Sequence, residues 1–358
     1  MPVPFTQKII TWFKTHQRDL PWRGNPTPYA VWVAEIMAQQ TRLETMLPYF
    51  QRWMASFPTI EDLAAAPQQE VLNLWEGLGY YSRARNLHKA AQVVVNEFGG
   101  ELPGKVKSLR SLPGIGRYTA GAIASTAFGL DEAAVDGNVK RVLARVFQVE
   151  EPVDSPAGER RIWALASEHL PPGQAGDYNQ ALMELGALVC LPSKPDCAQC
   201  PIQGDCQAHT AGHQAEYPRR KPKTKIPHHT VTAAVIQKGE HVLIAQRAQA
   251  DMFGGMWEFP GGKQEEGESL KSCLKREIKE ELGVKIKVRE EIGVFDTTYT
   301  HFRVTLHAFL CQLDRGTPQP IEVDDLRWVT LDELDDYPMS KLDRLISQEL
   351  QQMNGRKP

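Results

Sequence analysis

The 358-residue chain has six cysteines, and four of them crowd into one stretch, Cys190-x6-Cys197-x2-Cys200-x5-Cys206. Thiolates gathered this closely suit a metal centre or an iron–sulfur cluster. Zinc is the poorer match, because its ligands usually arrive as two separated CxxC pairs. A disulfide pair is the plain alternative, although the opening MPVPFTQKIITWFKTHQ lacks the charged leader and apolar block of a secreted protein. Two acids offer a different chemistry. Glu35 is the single acid in the apolar run Val31-Trp-Val-Ala-Glu-Ile-Met-Ala38. Facing outward it is an ordinary exposed residue; facing inward, desolvation lifts its pKa toward neutrality and it can donate a proton. Asp136, in Val135-Asp-Gly-Asn138, is placed to cap the following helix, and capping alone accounts for an Asp there. The helix N-terminus favours its ionised form. One protonated and one ionised carboxyl group is the pairing that breaks a glycosidic bond. A third group is Glu277, Glu280 and Glu281, neighbours on one helical face. Their repulsion is relieved by a hard cation such as Mg2+, which polarises a diphosphate and activates water; otherwise they are a solvated acidic face.

These groups need elements to hold them. From Phe5 to about Cys206 the pattern is helical, with i, i+3, i+4 apolar spacing in Val71–Trp75, Ala84–Phe98, Tyr118–Phe128 and Val139–Phe147. Ser111-Leu-Pro-Gly-Ile-Gly116 falls between two such segments. A turn with Gly114 and Gly116 can aim the next helix's N–H groups at a phosphate, or can simply connect two helices. Tyr217–Pro227 is proline-spaced with five basic residues, a linker that is either a solvated tether or a phosphate contact. Beyond it the character changes. Val231–Ile236 and His241–Gln246 form a predicted hairpin around Lys238-Gly239, followed by a helix at Ser269–Leu282, a strand at Phe302–Leu310 and a helix near Lys341–Met353.

This length exceeds what one core usually serves, so two domains are expected. Net charge is −3; the first 225 residues carry 24 basic and 22 acidic side chains, the remainder 17 and 22. Any affinity for nucleic acid must then come from local placement rather than a global field. Apolar stretches break off well short of the ~18 residues of a membrane span. The expectation is a monomeric, cytoplasmic protein with no membrane partner.

Leu20-Pro-Trp-Arg23, Glu35-Ile-Met-Ala-Gln39-Gln40-Thr41, Gly77-Leu-Gly-Tyr-Tyr-Ser-Arg83, Leu112-Pro-Gly-Ile-Gly116, Val135-Asp-Gly-Asn-Val-Lys140 and the cysteine quartet together resemble the MutY family of adenine DNA glycosylases, in the endonuclease III or helix-hairpin-helix superfamily. The resemblance implies base-excision repair of adenine mispaired with 8-oxoguanine in double-stranded DNA, and one [4Fe–4S] cluster on Cys190, Cys197, Cys200 and Cys206. It implies that Glu35 protonates the adenine N7 and Asp136 stabilises the oxocarbenium-like state, with Tyr118 and Asn138 in support. Gln40, Thr41, Leu78 and Tyr80 then lie where the stack is opened, and Arg23, Gly114 and Gly116 contact DNA. An extruded base costs a few kcal/mol of unstacking, and a stacking Tyr returns about 1–3 kcal/mol. Tyr81 is better read as core. Bifunctional relatives carry a Lys that forms a Schiff base; here Tyr118 stands at that position, and a phenol cannot form the adduct. Base release without strand cleavage is expected.

Gly262-x5-Glu268-x7-Arg276-Glu277-Ile278-Lys279-Glu280-Glu281-Leu282-Gly283-Val284 holds every fixed position of the Nudix hydrolase signature. In the MutY family this domain usually has a decayed box and reads the 8-oxoguanine strand, so an intact box is a departure. Two readings follow: a recognition domain that keeps its metal ligands, or a second, Mg2+-dependent site that cleaves nucleotides such as 8-oxo-dGTP. The family's 8-oxoguanine contact loop corresponds to Tyr299-Thr300-His301, with Thr300 where Ser is common.

The expected architecture is multidomain. An all-α helix-hairpin-helix glycosylase domain covers 1–210 with its iron–sulfur loop at 190–206, a basic linker covers 211–228, and an α+β Nudix-like domain covers 229–358. Rival functions are an endonuclease III-like glycosylase for oxidised pyrimidines, a nucleotide pyrophosphohydrolase tethered to DNA, and a non-catalytic iron–sulfur DNA-binding module. Tyr118 and the second domain disfavour the first, and retention of both Glu35 and Asp136 disfavours the others.

Overall fold

A computed structural model describes residues 4–24, 26–222 and 225–355. The chain divides into two compact units, one made of residues 1–65 and 89–223, the other of residues 66–88 and 224–358. The sequence reading placed 66–88 wholly within the helical domain; the structure groups this short segment with the C-terminal residues.

The first unit is helical. Its core gathers Ile9, Ile10 and Phe13 of the helix Phe5–His16, Val139, Val142, Leu143 and Val146 of Gly137–Val146, Ile162 and Leu165 of Pro156–Glu168, and Tyr178, Leu182 and Leu185 of Ala175–Leu188. The i, i+3, i+4, i+7 spacing of the Gly137–Val146 residues puts them on one stripe, which is why this segment folds as an amphipathic helix. Pro28–Ala38 is apolar nearly all round and correspondingly buried, starting at a Thr27 cap that accepts from the Ala30 N–H at 3.2 Å. The basic stretch after the cysteines is not a free tether. Arg219 pairs with Glu150 at 2.6 Å, its carbonyl accepts from the Val153 N–H, and the Lys221 N–H donates to Asp154 at 2.9 Å.

In the second unit six strands form one mixed sheet: β1 (His228–Lys238), β2 (His241–Arg247), β3 (Trp257–Glu258), β4 (Lys285–Thr298), β5 (Arg303–Arg315) and β6 (Val323–Thr330). Strand β1 is central, parallel to β5 and antiparallel to β2; β2 also pairs with β3 and β6, and β5 with β4. Alternation of side chains serves both faces. Ala233, Val235, Val242 and Ile244 meet Leu342, Ile346 and Leu350 of the helix Lys341–Gly355. Ala234, Ile236, Leu243 and Ala245 meet Leu274, Ile278 and Leu282 of the helix Leu270–Leu282. Among the described residues no helix is long and apolar enough to cross a membrane.

Candidate active site

Glu35, Tyr118, Asp136, Asn138, Arg23, Gln40 and Thr41 all line one cavity of about 830 Å³ in the first unit. Residues from three separate sequence motifs, together with Tyr118, therefore converge on one place. Glu35 leaves the last turns of Pro28–Ala38 and accepts a 2.5 Å hydrogen bond from the Tyr118 hydroxyl on the helix Arg117–Phe128. Burial pushes the Glu35 carboxyl up to about 7; the nearby Asp136 adds to the rise, while Tyr118 and Arg23 oppose it. The Tyr118 phenol is itself raised well above its ordinary value by burial and by Glu35, so it stays a donor.

Asp136 caps Gly137–Val146, its Oδ1 accepting from the Val139 N–H at 2.7 Å and its Oδ2 from the Asn138 amide at 2.8 Å. The sequence favoured a lowered pKa for this cap. In the structure burial dominates and raises it, against the Val139 and Asn138 hydrogen bonds and the Arg141 charge. Asn138 is held in turn: its Oδ1 accepts from Arg141 Nη2 at 2.7 Å, and Arg141 also bonds the Gly186 and Cys190 carbonyls. Gly186 permits the helix Ala175–Leu188 to come this close, since a Cβ there would stand 2.5 Å from the Asn138 Cβ.

Sequence reasoning missed Glu184. It is 1% exposed and accepts from Arg18 Nε at 2.9 Å and Nη2 at 2.8 Å, and from Arg23 Nη2 at 3.0 Å. Burial opposes its ionisation, yet the hydrogen bonds from Arg18 and Arg23 outweigh it and hold the carboxyl at about 2. Arg23 is thereby held by Glu184, Gln180 and the Arg18 carbonyl at the rim of the same cavity. The available signal was Glu184's place on the apolar stripe with Ala181, Leu182 and Leu185.

Gln40 is exposed with φ 57, in the left-handed region beside the cavity, and the Thr41 hydroxyl donates to the Gln39 carbonyl at 3.4 Å. Gly114 has φ 77, which a side chain rarely tolerates, and Gly116 precedes Arg117–Phe128 without a side-chain cap. The first amides of that helix are thus left without a capping side chain.

In the second unit Leu78 is only 6% exposed, whereas Tyr80 is 41% exposed. Tyr81 is buried, as core placement requires, with its ring against Phe253. The Tyr80 and Thr300 hydroxyls hydrogen-bond to each other, and Thr300 and His301 are exposed. Tyr299 instead faces a cavity of about 250 Å³ within the domain, shared with Phe253, Phe259, Phe302 and Asp343.

Cys190, Cys197, Cys200 and Cys206 line one small cavity in the first unit, and all are free thiols. Arg145 Nη1 donates to Cys190 Sγ at 3.2 Å, and burial pushes the Cys200 thiol up to about 12. On Leu270–Leu282, Arg276 donates to Glu268, Glu277 and Glu280 at about 3 Å. Glu281 accepts from the Gly261 N–H at 3.1 Å, and burial together with Glu258 raises it to about 9. Among the described residues no three His, Cys, Asp or Glu side chains are grouped tightly enough to hold a metal ion.

Residues 33–167 match the HhH-GPD superfamily base excision DNA repair proteins, and residues 231–349 match the NUDIX domain. The chain is similar to the adenine DNA glycosylase of Homo sapiens, 34% identical over 92% of this chain and 70% of the relative. It is similar to the adenine DNA glycosylase of Buchnera aphidicola, 32% identical over 86% of this chain and 87% of the relative. A solved thermostable thymine-DNA glycosylase matches with a TM-score of 0.54 at 31% identity, over 58% of this chain and 95% of its own.

Proposed function

Because the chain belongs to the adenine DNA glycosylase family, hydrolases that act on DNA in base-excision repair, we propose that Glu35 and Asp136 carry its chemistry and that its target is adenine opposite 8-oxoguanine. The observation that carries this is the pair of carboxyl groups in one cavity, with Glu35 at about 7 and held by Tyr118. A group at that pKa gives up a proton to a leaving base near neutral pH. Asp136, aligned by Val139 and Asn138, faces the positive charge that develops on the sugar as the bond to the base breaks. That charge favours the ionised carboxylate, offsetting the burial that raises Asp136 alone. Gly114, Gly116 and the amides they expose suit a phosphate, and Gln40, Thr41 and Tyr80 suit the opened stack. The chain works as a cytoplasmic, nucleoid-associated monomer in domains at 1–210 and 229–358, joined through 211–228.

Four free cysteines around one cavity, with a guanidinium against one sulfur, fit an iron–sulfur cluster. Cys190, Cys197, Cys200 and Cys206 would hold it, and it would supply structure rather than a substrate electron. For the second unit we favour a nucleotide site as well as an 8-oxoguanine reader. Its support is the aromatic-walled cavity reaching Gly261 and Gly262, at the head of an intact box. Glu277, Glu280 and Glu281 would hold Mg2+ once Arg276 gives up Glu277 and Glu280, and the ion would polarise a diphosphate.

Single-turnover assays on duplexes with adenine opposite 8-oxoguanine, guanine or cytosine test the main reading. The expected result is adenine release, fastest and tightest opposite 8-oxoguanine. Equal handling of all three would overturn the specificity, and release of an oxidised pyrimidine instead would favour the endonuclease III-like rival.

A further inference from the structure

The turn between the helices Gln68–Trp75 and Ser82–Phe98 bends through three positive φ values, 97 at Gly77, 72 at Gly79 and 48 at Tyr80. Internal bonds hold its shape: Trp75 Nε1 donates to the Gly79 carbonyl at 3.0 Å, and Arg83 Nη2 donates to the Leu78 and Gly79 carbonyls at 3.1 and 3.0 Å. What fixes the turn in place lies on either side of it, within the same unit. Glu76 accepts a two-point bond from Arg344, Nε at 2.7 Å and Nη2 at 3.0 Å, and also accepts from the Met339 N–H at 3.0 Å. Arg85 Nη1 donates to the Gly254 carbonyl at 2.9 Å. Arg344 in turn gathers the Leu334 and Tyr337 carbonyls and Asp335. Its side chain is 18% exposed and that of Glu76 is 23% exposed. Beyond the turn, Tyr80 meets Thr300.

We propose that Arg344 and Glu76 are a positioning pair for specificity: they set the Leu78–Tyr80 turn against the 299–301 loop, so that discrimination of 8-oxoguanine from guanine depends on this ion pair. The inference rests on the reading of that loop as the 8-oxoguanine contact. A planar guanidinium bonded at two points fixes orientation as well as distance, which a single charge does not. Partial burial spares the pair much of the screening that weakens surface pairs. Glu76 is the residue immediately before the turn, so a tilt there is carried directly into Tyr80. Without the pair, the Tyr80 and Thr300 hydroxyls lose their fixed separation and the contact loses its geometry.

The test compares binding and single-turnover excision on 8-oxoguanine:adenine and guanine:adenine duplexes for the full-length wild type, Arg344→Gln, Glu76→Gln and Thr300→Ala. The expected result is that each of the two amide variants loses about tenfold or more of the wild type's preference for 8-oxoguanine in affinity. That loss amounts to about 1.4 kcal/mol. Excision from guanine:adenine at saturating enzyme should stay unchanged, which shows that the variants are folded. If Thr300→Ala lowers the preference but Arg344→Gln and Glu76→Gln do not, the positioning role is overturned while the loop reading survives. Should Thr300→Ala also leave the preference intact, the loop reading falls and the inference with it. An equal loss on both duplexes would reduce the pair to general stability and overturn the proposal.

Discussion

The Tyr118 hydroxyl donates to Glu35 across 2.5 Å from a neighbouring helix, so a phenol and not an amine is the partner of this acid. Installing an amine exchanges that partner for a nucleophile. Tyr118→Lys should give borohydride-trapped enzyme–DNA adduct and strand nicking, where the unaltered protein gives little of either. Efficient trapping by the wild type would show that another amine attacks the sugar.

As the proposed acid Glu35 has to carry a proton, and its pKa is raised to about 7. The single-turnover rate should therefore hold below that pH and fall as pH rises through it, approaching tenfold per unit. Glu35→Gln should lower the rate by about 10²–10⁴-fold and abolish this limb while mispair binding persists. An unchanged profile in the variant would remove Glu35 from the chemistry.

Glu184 is held at about 2 against an ordinary 4.5. A depressed carboxyl pKa stabilises the fold fully above its unfolded value, and that contribution is lost as pH falls toward 2. Glu184→Gln should cost about 3 kcal/mol at neutral pH, because Arg18 and Arg23 lose their shared counter-charge. Thermal melting at pH 7 and at pH 3 checks this: the gap between variant and wild type should narrow in acid.

Cys197→Ser should lose iron and much of the folded protein, since a hydroxyl replaces a thiolate ligand poorly. Metal analysis should find iron in the wild type, together with broad absorbance at the blue–violet edge. A colourless, zinc-bearing and fully active preparation would refute the cluster.

With Mg2+ present, the wild type should convert 8-oxo-dGTP to the monophosphate, and Glu280→Gln should abolish that conversion without altering adenine excision. Absence of turnover in the wild type would leave the intact box a relic.

The chemistry was more legible than its surroundings. Glu35 stood out as the lone acid in an apolar run, and the cysteines and the box by spacing alone. Glu184 did not, because one acid on an amphipathic helix looks like any other until Arg18, over 160 residues away, arrives beside it. The surroundings of Leu78 and Arg23 were hidden for the same reason: burial and ion pairing are tertiary facts. Strand β4 escaped detection because shifts in register at Lys285, Val288 and Glu291 interrupt the alternation that marks a strand. The grouping of 66–88 with the C-terminal residues also leaves no local trace, since Glu76 and Arg344 are ordinary surface types in sequence.

The parallel pairing of β1 with β5 has a consequence for biosynthesis. His228 is registered with Arg303, so the central strand emerges from the ribosome 75 residues ahead of its partner. At roughly 5–20 residues per second, that is a wait of about 4–15 s. Strand β2 follows after two residues but pairs only with Gln237 and Lys238, and the rest of that edge is met by Pro260, Gly262 and Gln264 soon after. The other edge of Val231–Ile236 stays unpaired until β5 is made, which makes this interval, rather than the finished protein, the time when the C-terminal unit is most open to aggregation and to chaperones.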